Sequence, residues 1–128
     1  LTSFVLDCSV AISWCLPDET NDDAEAILHL LAENAEAVVP SIWWLEIVNV
    51  LIVAERRQRI TETQTAEELA MLQSLPISLD TDTTQRSTTA TLALGRQYNL
   101  AADDAGYLEL AIREGLLLAT IALRRALS

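Results

Sequence analysis

Lysine is absent from this chain: all eight basic residues are arginine, set against 19 aspartates and glutamates, for a formal net charge of −11 in 128 residues. That absence excludes a P-loop phosphate grip, a lysine Schiff base and the lysine switch of a phospho-acceptor receiver domain. Cysteine is scarce, with only Cys8 and Cys15. A helical reading of that stretch sets them about 10 Å apart on one face, too far to bridge, so they read as small buried apolar residues of a reducing compartment. No apolar run approaches the length of a membrane span, and the N-terminus lacks the basic-then-apolar plan of a signal peptide. A soluble, cytoplasmic protein is expected. The sequence shows no internal repeat, low-complexity tract or linker, and its single histidine, His29, reads as a surface residue among acidic helices.

Hydrophobic residues make up 51% of the chain, enough for a real core in one domain spanning residues 1–128. Short apolar runs alternate with stretches of helical period. Strands are expected at residues 3–6, 37–39, 76–79 and 116–121. Helices are expected at 9–16, 22–33, from Ser41 to Arg57 with Ser41 as cap, at 63–74, 83–98 and 104–114, and in a short tail to Ser128. Gly115 is the expected terminator of the helix before it. Such alternation predicts an α/β fold, an open parallel sheet of about four to five strands with helices on both faces.

Ligands of such sheets bind beyond the carboxyl ends of the strands. Asp7 stands at one such end, after Phe4-Val5-Leu6. Glu46 lies on the helix that follows the second strand, and Asp103 and Asp104 stand where the helix before the last strand begins. Each acid also has an ordinary reading: Asp104 or Asp7 as a helix cap, Glu46 as the partner of an arginine. Glu46 is the most telling, because Trp43, Trp44, Leu45, Ile47 and Val48 surround it and an unpaired charge there is costly. Carboxylates gathered at one edge repel one another, and a divalent cation relieves that repulsion. The tryptophans Trp14, Trp43 and Trp44 read as a core cluster. Two helices, the one at 22–33 and the long one after Ser41, carry an apolar and an acidic face that suit a dimer surface.

These segments resemble the PIN domains, and within them the VapC-like ribonuclease toxins of toxin-antitoxin pairs. The likeness rests on Val5-Leu6-Asp7-Cys8-Ser9-Val10-Ala11 with Trp14 and Leu16-Pro17-Asp18-Glu19, and on Val39-Pro40-Ser41-Ile42-Trp43 leading to Glu46, Asn49 and Leu51. It continues through Leu100-Ala101-Ala102-Asp103-Asp104-Ala105-Gly106-Tyr107-Leu108 to Leu118-Ala119-Thr120. The resemblance covers nearly the whole chain in order. It implies a PIN-like three-layer α/β/α fold and a metal-dependent endoribonuclease with Asp7, Glu46 and Asp104 as acids holding Mg²⁺ or Mn²⁺. Ser9 and Asn49 are implied as auxiliary polar residues, and Asp103 is an extra acid without a family counterpart. A homodimer, an RNA substrate and a cognate antitoxin that inserts an arginine into the acidic pocket are likewise implied.

One departure stands out. The family commonly follows Leu-Ala-Thr with an apolar residue and a fourth acid, whereas here Ile121 runs straight into Ala122-Leu123-Arg124-Arg125-Ala126. Loss of that acid weakens a second metal position, and it favours the other reading of the chain, a PIN-fold interaction module that no longer cuts RNA. A net charge of −11 points the same way, because affinity for phosphates comes mainly from basic residues.

Overall fold

The computed structural model describes residues 2–122. In chain order the elements are β1 (Ser3–Leu6), α1 (Cys8–Cys15), α2 (Asp22–Glu33), β2 (Glu36–Val39), α3 (Trp43–Arg56), α4 (Glu62–Gln73) and β3 (Ile77–Leu79). They continue with α5 (Thr83–Arg86), a π-helical turn (Ser87–Thr91), α6 (Leu92–Tyr98), α7 (Ala102–Glu114) and β4 (Leu118–Ala119). The four strands are all parallel, in the order β3-β2-β1-β4.

Phe4, Val5 and Leu6 are all buried although successive side chains point to opposite faces. Both faces of β1 are therefore covered, which is the three-layer α/β/α arrangement expected of a parallel sheet. On one side of the chain's path α1 packs against α2, α3 and α4; α7 packs against β1 and β4. β1 is central, with Val5 opposite Val38 of β2 and Leu118 of β4, so its carboxyl end lies at the middle of the sheet edge. Asp7 is the next residue.

Several boundaries differ from those expected. Ser41 does not cap α3: the helix begins at Trp43 after Ile42, with no side-chain cap. The Trp43 amide closes on the Pro40 carbonyl at 3.0 Å, and the Ser41 amide donates to Thr83 Oγ1. The backbone itself tightens this turn, so a serine cap is not needed there. α7 starts at Ala102, which places Asp103 and Asp104 inside its first turn rather than at its cap. Acids there still favour the helix through its dipole. β4 is two residues long and half-buried rather than a buried six-residue strand, because the Leu116 amide closes the end of α7 on Ala111 and the Ile121 and Ala122 amides turn to Ser9. The helix expected at 83–98 is one continuous path whose middle widens into the π-turn. Gly115 ends α7 with φ of 65°, the left-handed conformation that glycine adopts without strain. The expected tail helix lies outside the described residues.

All three tryptophans belong to the core, Trp43 within it and Trp14 and Trp44 packed against it. Trp43 is fully buried and meets Trp44 edge to face at 4.9 Å, the only ring pair among the described residues. Trp14 is half-buried and donates its indole N–H to the Ala24 carbonyl at 2.7 Å, joining α1 to α2. Both cysteines are free; burial pushes the Cys15 thiol up to about 12 and raises that of Cys8 as well. His29 is exposed, as expected.

Candidate acidic site at the sheet edge

Asp7 is 2% exposed. It leaves β1 in extended conformation and caps α1, its Oδ1 accepting the Ser9 amide at 3.3 Å. Its Oδ2 accepts a hydrogen bond of 2.5 Å from the Thr120 hydroxyl, just past β4. β1 and β4 run in parallel register, so residues just past their ends come side by side.

Glu46 is placed by Trp43, three residues earlier. The Trp43 indole N–H donates to the Leu6 carbonyl at 3.0 Å, which pins the first turn of α3 to the end of β1. Glu46 Oε1 accepts the Tyr107 hydroxyl at 2.8 Å, and Oε2 faces the Cys8 thiol at 3.7 Å. The same Tyr107 oxygen accepts the Cys8 amide at 3.2 Å. One phenol thus joins the start of α1, α3 and α7, the three helices next to the acids.

Burial raises the Glu46 carboxyl above its ordinary value, and the charges of Asp103 and Asp7 push it further; the Tyr107 and Cys8 donors oppose the rise. Asp104 is raised in the same way, by burial first and then by Asp103 and Asp7. Asp7 and Asp103 thus act through charge on both Glu46 and Asp104. Among the described residues no arginine or histidine pairs with Asp7, Glu46, Asp103 or Asp104. The three-residue groups that would ready-make a metal site are nevertheless missing: no three His, Cys, Asp or Glu side chains among the described residues already surround a common point. Asp7 and Glu46 instead turn to neutral donors, Thr120 and Ser9 for the one, Tyr107 and Cys8 for the other, as repelling carboxylates do without a counter-charge. The donor chemistry fits a hard divalent ion, which takes carboxylate oxygens and keeps several of its waters.

The auxiliary residues fall differently. Ser9 Oγ accepts the amides of Ile121 (3.1 Å) and Ala122 (3.3 Å), so it ties down the turn where a fourth acid is wanting. No acid occurs anywhere after Glu114 in the sequence. Asn49 is exposed one turn beyond Glu46 within α3, and its side chain makes no hydrogen bond with the described residues. Asp103 is exposed beside Asp104 and acts on it and on Glu46 through charge. A cleft of about 430 Å³ is bordered by Cys8, Ser9, Asn21 and Ile121; none of the four acids lines it.

Sequence reasoning assigned no role to Tyr107, Thr120 or Cys8. Tyr107 follows Asp104 by three residues, one helical turn, and that spacing is the one local signal that it points the same way.

A parallel sheet of this strand order with helices on both faces defines the class, a three-layer α/β/α domain. The PIN domain profile matches residues 4–121, and the chain belongs to that family. PIN domains are in general nucleases that use divalent metals. Solved structures that share the fold include two toxin-antitoxin complexes. One is a toxin-antitoxin complex from Klebsiella pneumoniae, 22% identical with a TM-score of 0.55, the match covering 91% of this chain and 84% of that one. The other is VapBC2 from Rickettsia felis bound to a DNA fragment from their promoter, 19% identical with a TM-score of 0.64, covering 98% and 93%. No curated protein matches the sequence.

Proposed function

We propose that the protein is an endoribonuclease dependent on Mg²⁺ or Mn²⁺, the toxin of a toxin-antitoxin pair. The observation that supports this reading is that Asp7 and Asp103 act through charge on both Glu46 and Asp104, acids from three separate parts of the chain that have no basic partner among the described residues. Asp7 and Asp104 would hold the ion and Glu46 would hold one of its waters or take a proton. The cation, when bound, offsets charge on the phosphoryl oxygens and acidifies water. Ser9 fixes the turn at Ile121 by accepting two amides on its hydroxyl oxygen. Tyr107 and Cys8 keep Glu46 turned inward.

Partners follow from charge and surface. A chain of net charge −11 repels RNA at long range, so binding relies on the bound ion, local arginines or a basic partner. Along α3, Leu45 is 73% exposed and Ile42, Val48 and Ile52 share its face, an apolar stripe suited to a second copy of the chain. An antitoxin arginine entering the acid group would supply the missing positive charge and displace the cation. Among the described residues no helix is long and apolar enough to cross a membrane, and the reading places the protein in the cytoplasm.

The absent fourth acid supports a second reading, a PIN-fold interaction module without cleavage. Incubation with structured RNA decides between them. Cleavage in Mg²⁺ or Mn²⁺ that stops with chelator and with Asp7→Asn supports the nuclease; an intact RNA under every metal condition, with the wild-type fold verified, supports the module.

A further inference from the structure

Tyr107 is only 1% exposed, and its hydroxyl is fully used: it accepts the Cys8 amide at 3.2 Å and donates to Glu46 Oε1 at 2.8 Å. A phenylalanine would fill the same volume without either bond. The phenol has one proton to donate, and it is aimed at the acid of α3, not at Asp104 on its own helix. Glu46 in turn has only the distant Cys8 thiol on its other oxygen, at 3.7 Å. The orientation of its carboxylate therefore rests chiefly on Tyr107. The amide that Tyr107 receives belongs to the residue after Asp7, so the same bond sets the spacing between the two acids.

We infer that Tyr107 is a positioning residue of the cation site, aiming the Glu46 carboxylate and holding α3 at a set distance from Asp7. The inference rests on the cation-dependent reading above. Groups that orient a ligand through a hydrogen bond typically change metal affinity 10- to 100-fold when removed. The phenol touches no cation itself, so its effect must pass through Glu46.

Calorimetric titration of the protein with Mn²⁺ tests this with wild type, Tyr107→Phe, Glu46→Gln and the double variant. Tyr107→Phe is expected to weaken Mn²⁺ binding by about 10- to 100-fold and to add nothing to the loss in Glu46→Gln. Wild-type affinity in Tyr107→Phe overturns the inference, as do losses that multiply in the double variant. Glu46→Asp offers a second route that leaves the core untouched: it keeps the charge but withdraws it from the phenol by one methylene. Unchanged Mn²⁺ affinity there also overturns the role. A wild-type protein that binds no Mn²⁺ overturns the nuclease reading together with the inference, whereas wild-type binding with an indifferent Tyr107→Phe overturns the inference alone.

Discussion

Two groups of acids in this molecule receive opposite treatment. Asp80, at the end of β3, and Glu109, on α7, are 8% and 4% exposed, and Arg113 satisfies both. Its terminal nitrogens reach the two Asp80 oxygens at 3.1 and 2.8 Å, and its Nε reaches Glu109 at 2.7 Å, with Glu114 and Asp82 further out at 3.4 and 3.8 Å. Asp7 is as deeply buried, while Glu46 and Asp104 are half-buried; Asp7 and Glu46 receive neutral donors only. A buried carboxylate is tolerated when a guanidinium meets it in fork geometry. Among the described residues that partner is present at the first group and missing at the second.

Breaking the second group has the larger functional consequence. Asp7→Asn is expected to abolish cleavage of RNA while leaving the fold intact, and to leave the metal-free protein at least as stable, because a repelling charge is removed. A gel assay and a urea titration on the same variant check both halves. Retained cleavage in metal-containing buffer would remove Asp7 from the ligand set.

Breaking the first group has the larger structural consequence. Arg113→Met leaves Asp80 and Glu109 as buried charges without their partner, a loss of about 3–5 kcal/mol in unfolding free energy. The urea midpoint measures it. A loss no greater than that of an exposed ion pair such as Arg59 with Asp18 would show that water already reaches the Arg113 group.

Adding a cation sharpens the contrast. Mn²⁺ at 100 times its dissociation constant stabilises by about 2.7 kcal/mol through mass action. The thermal midpoint of the wild type should therefore rise with Mn²⁺, and that of Asp7→Asn should not. An equal rise in both would assign the ion to some other place on this acidic surface.

How much of this was legible in the sequence depends on the range of the interaction. β1 was legible because a strand buried on both faces reads as an unbroken apolar run, and the end of α7 was legible because Gly115 takes a left-handed conformation. The position of Asp7 at the carboxyl end of a central strand was legible from the same apolar run, whereas the three acids Asp7, Glu46 and Asp104, expected to share one ion, do not surround a common point among the described residues. Ser41 was misread as a cap because local pattern does not reveal that its amide is claimed by Thr83, 42 residues away. Tyr107 was passed over for the same reason: its partner Cys8 is 99 positions distant, and on α7 alone it looks like one more core aromatic. Likewise, nothing near Arg113 announces Asp80. β4 was read too long because apolar composition marks burial but not which amides are taken by a helix end or by Ser9.

The smallest expected effect separates the two groups by the sign of their pH dependence, measured without divalent ions. Hydrogen bonds from Arg113 hold the Asp80 carboxyl below its ordinary 3.8. A depressed carboxyl contributes stability above its unfolded value and loses it as pH falls through the folded one, so this group fails on the acid side, below about 3.8. Glu46 and Asp104 are raised above their ordinary 4.5 and 3.8, chiefly by burial. A raised carboxyl contributes stability that is complete below its unfolded value and is lost as pH rises through the folded one. The metal-free wild type should therefore lose stability above about pH 4.5, and Glu46→Gln with Asp104→Asn should not share that loss. Urea midpoints of the two proteins should converge near pH 4 and separate toward pH 7, by less than the loss in Arg113→Met. A constant separation at all pH values would mean that the substitutions act through packing and that the edge acids carry no mutual strain.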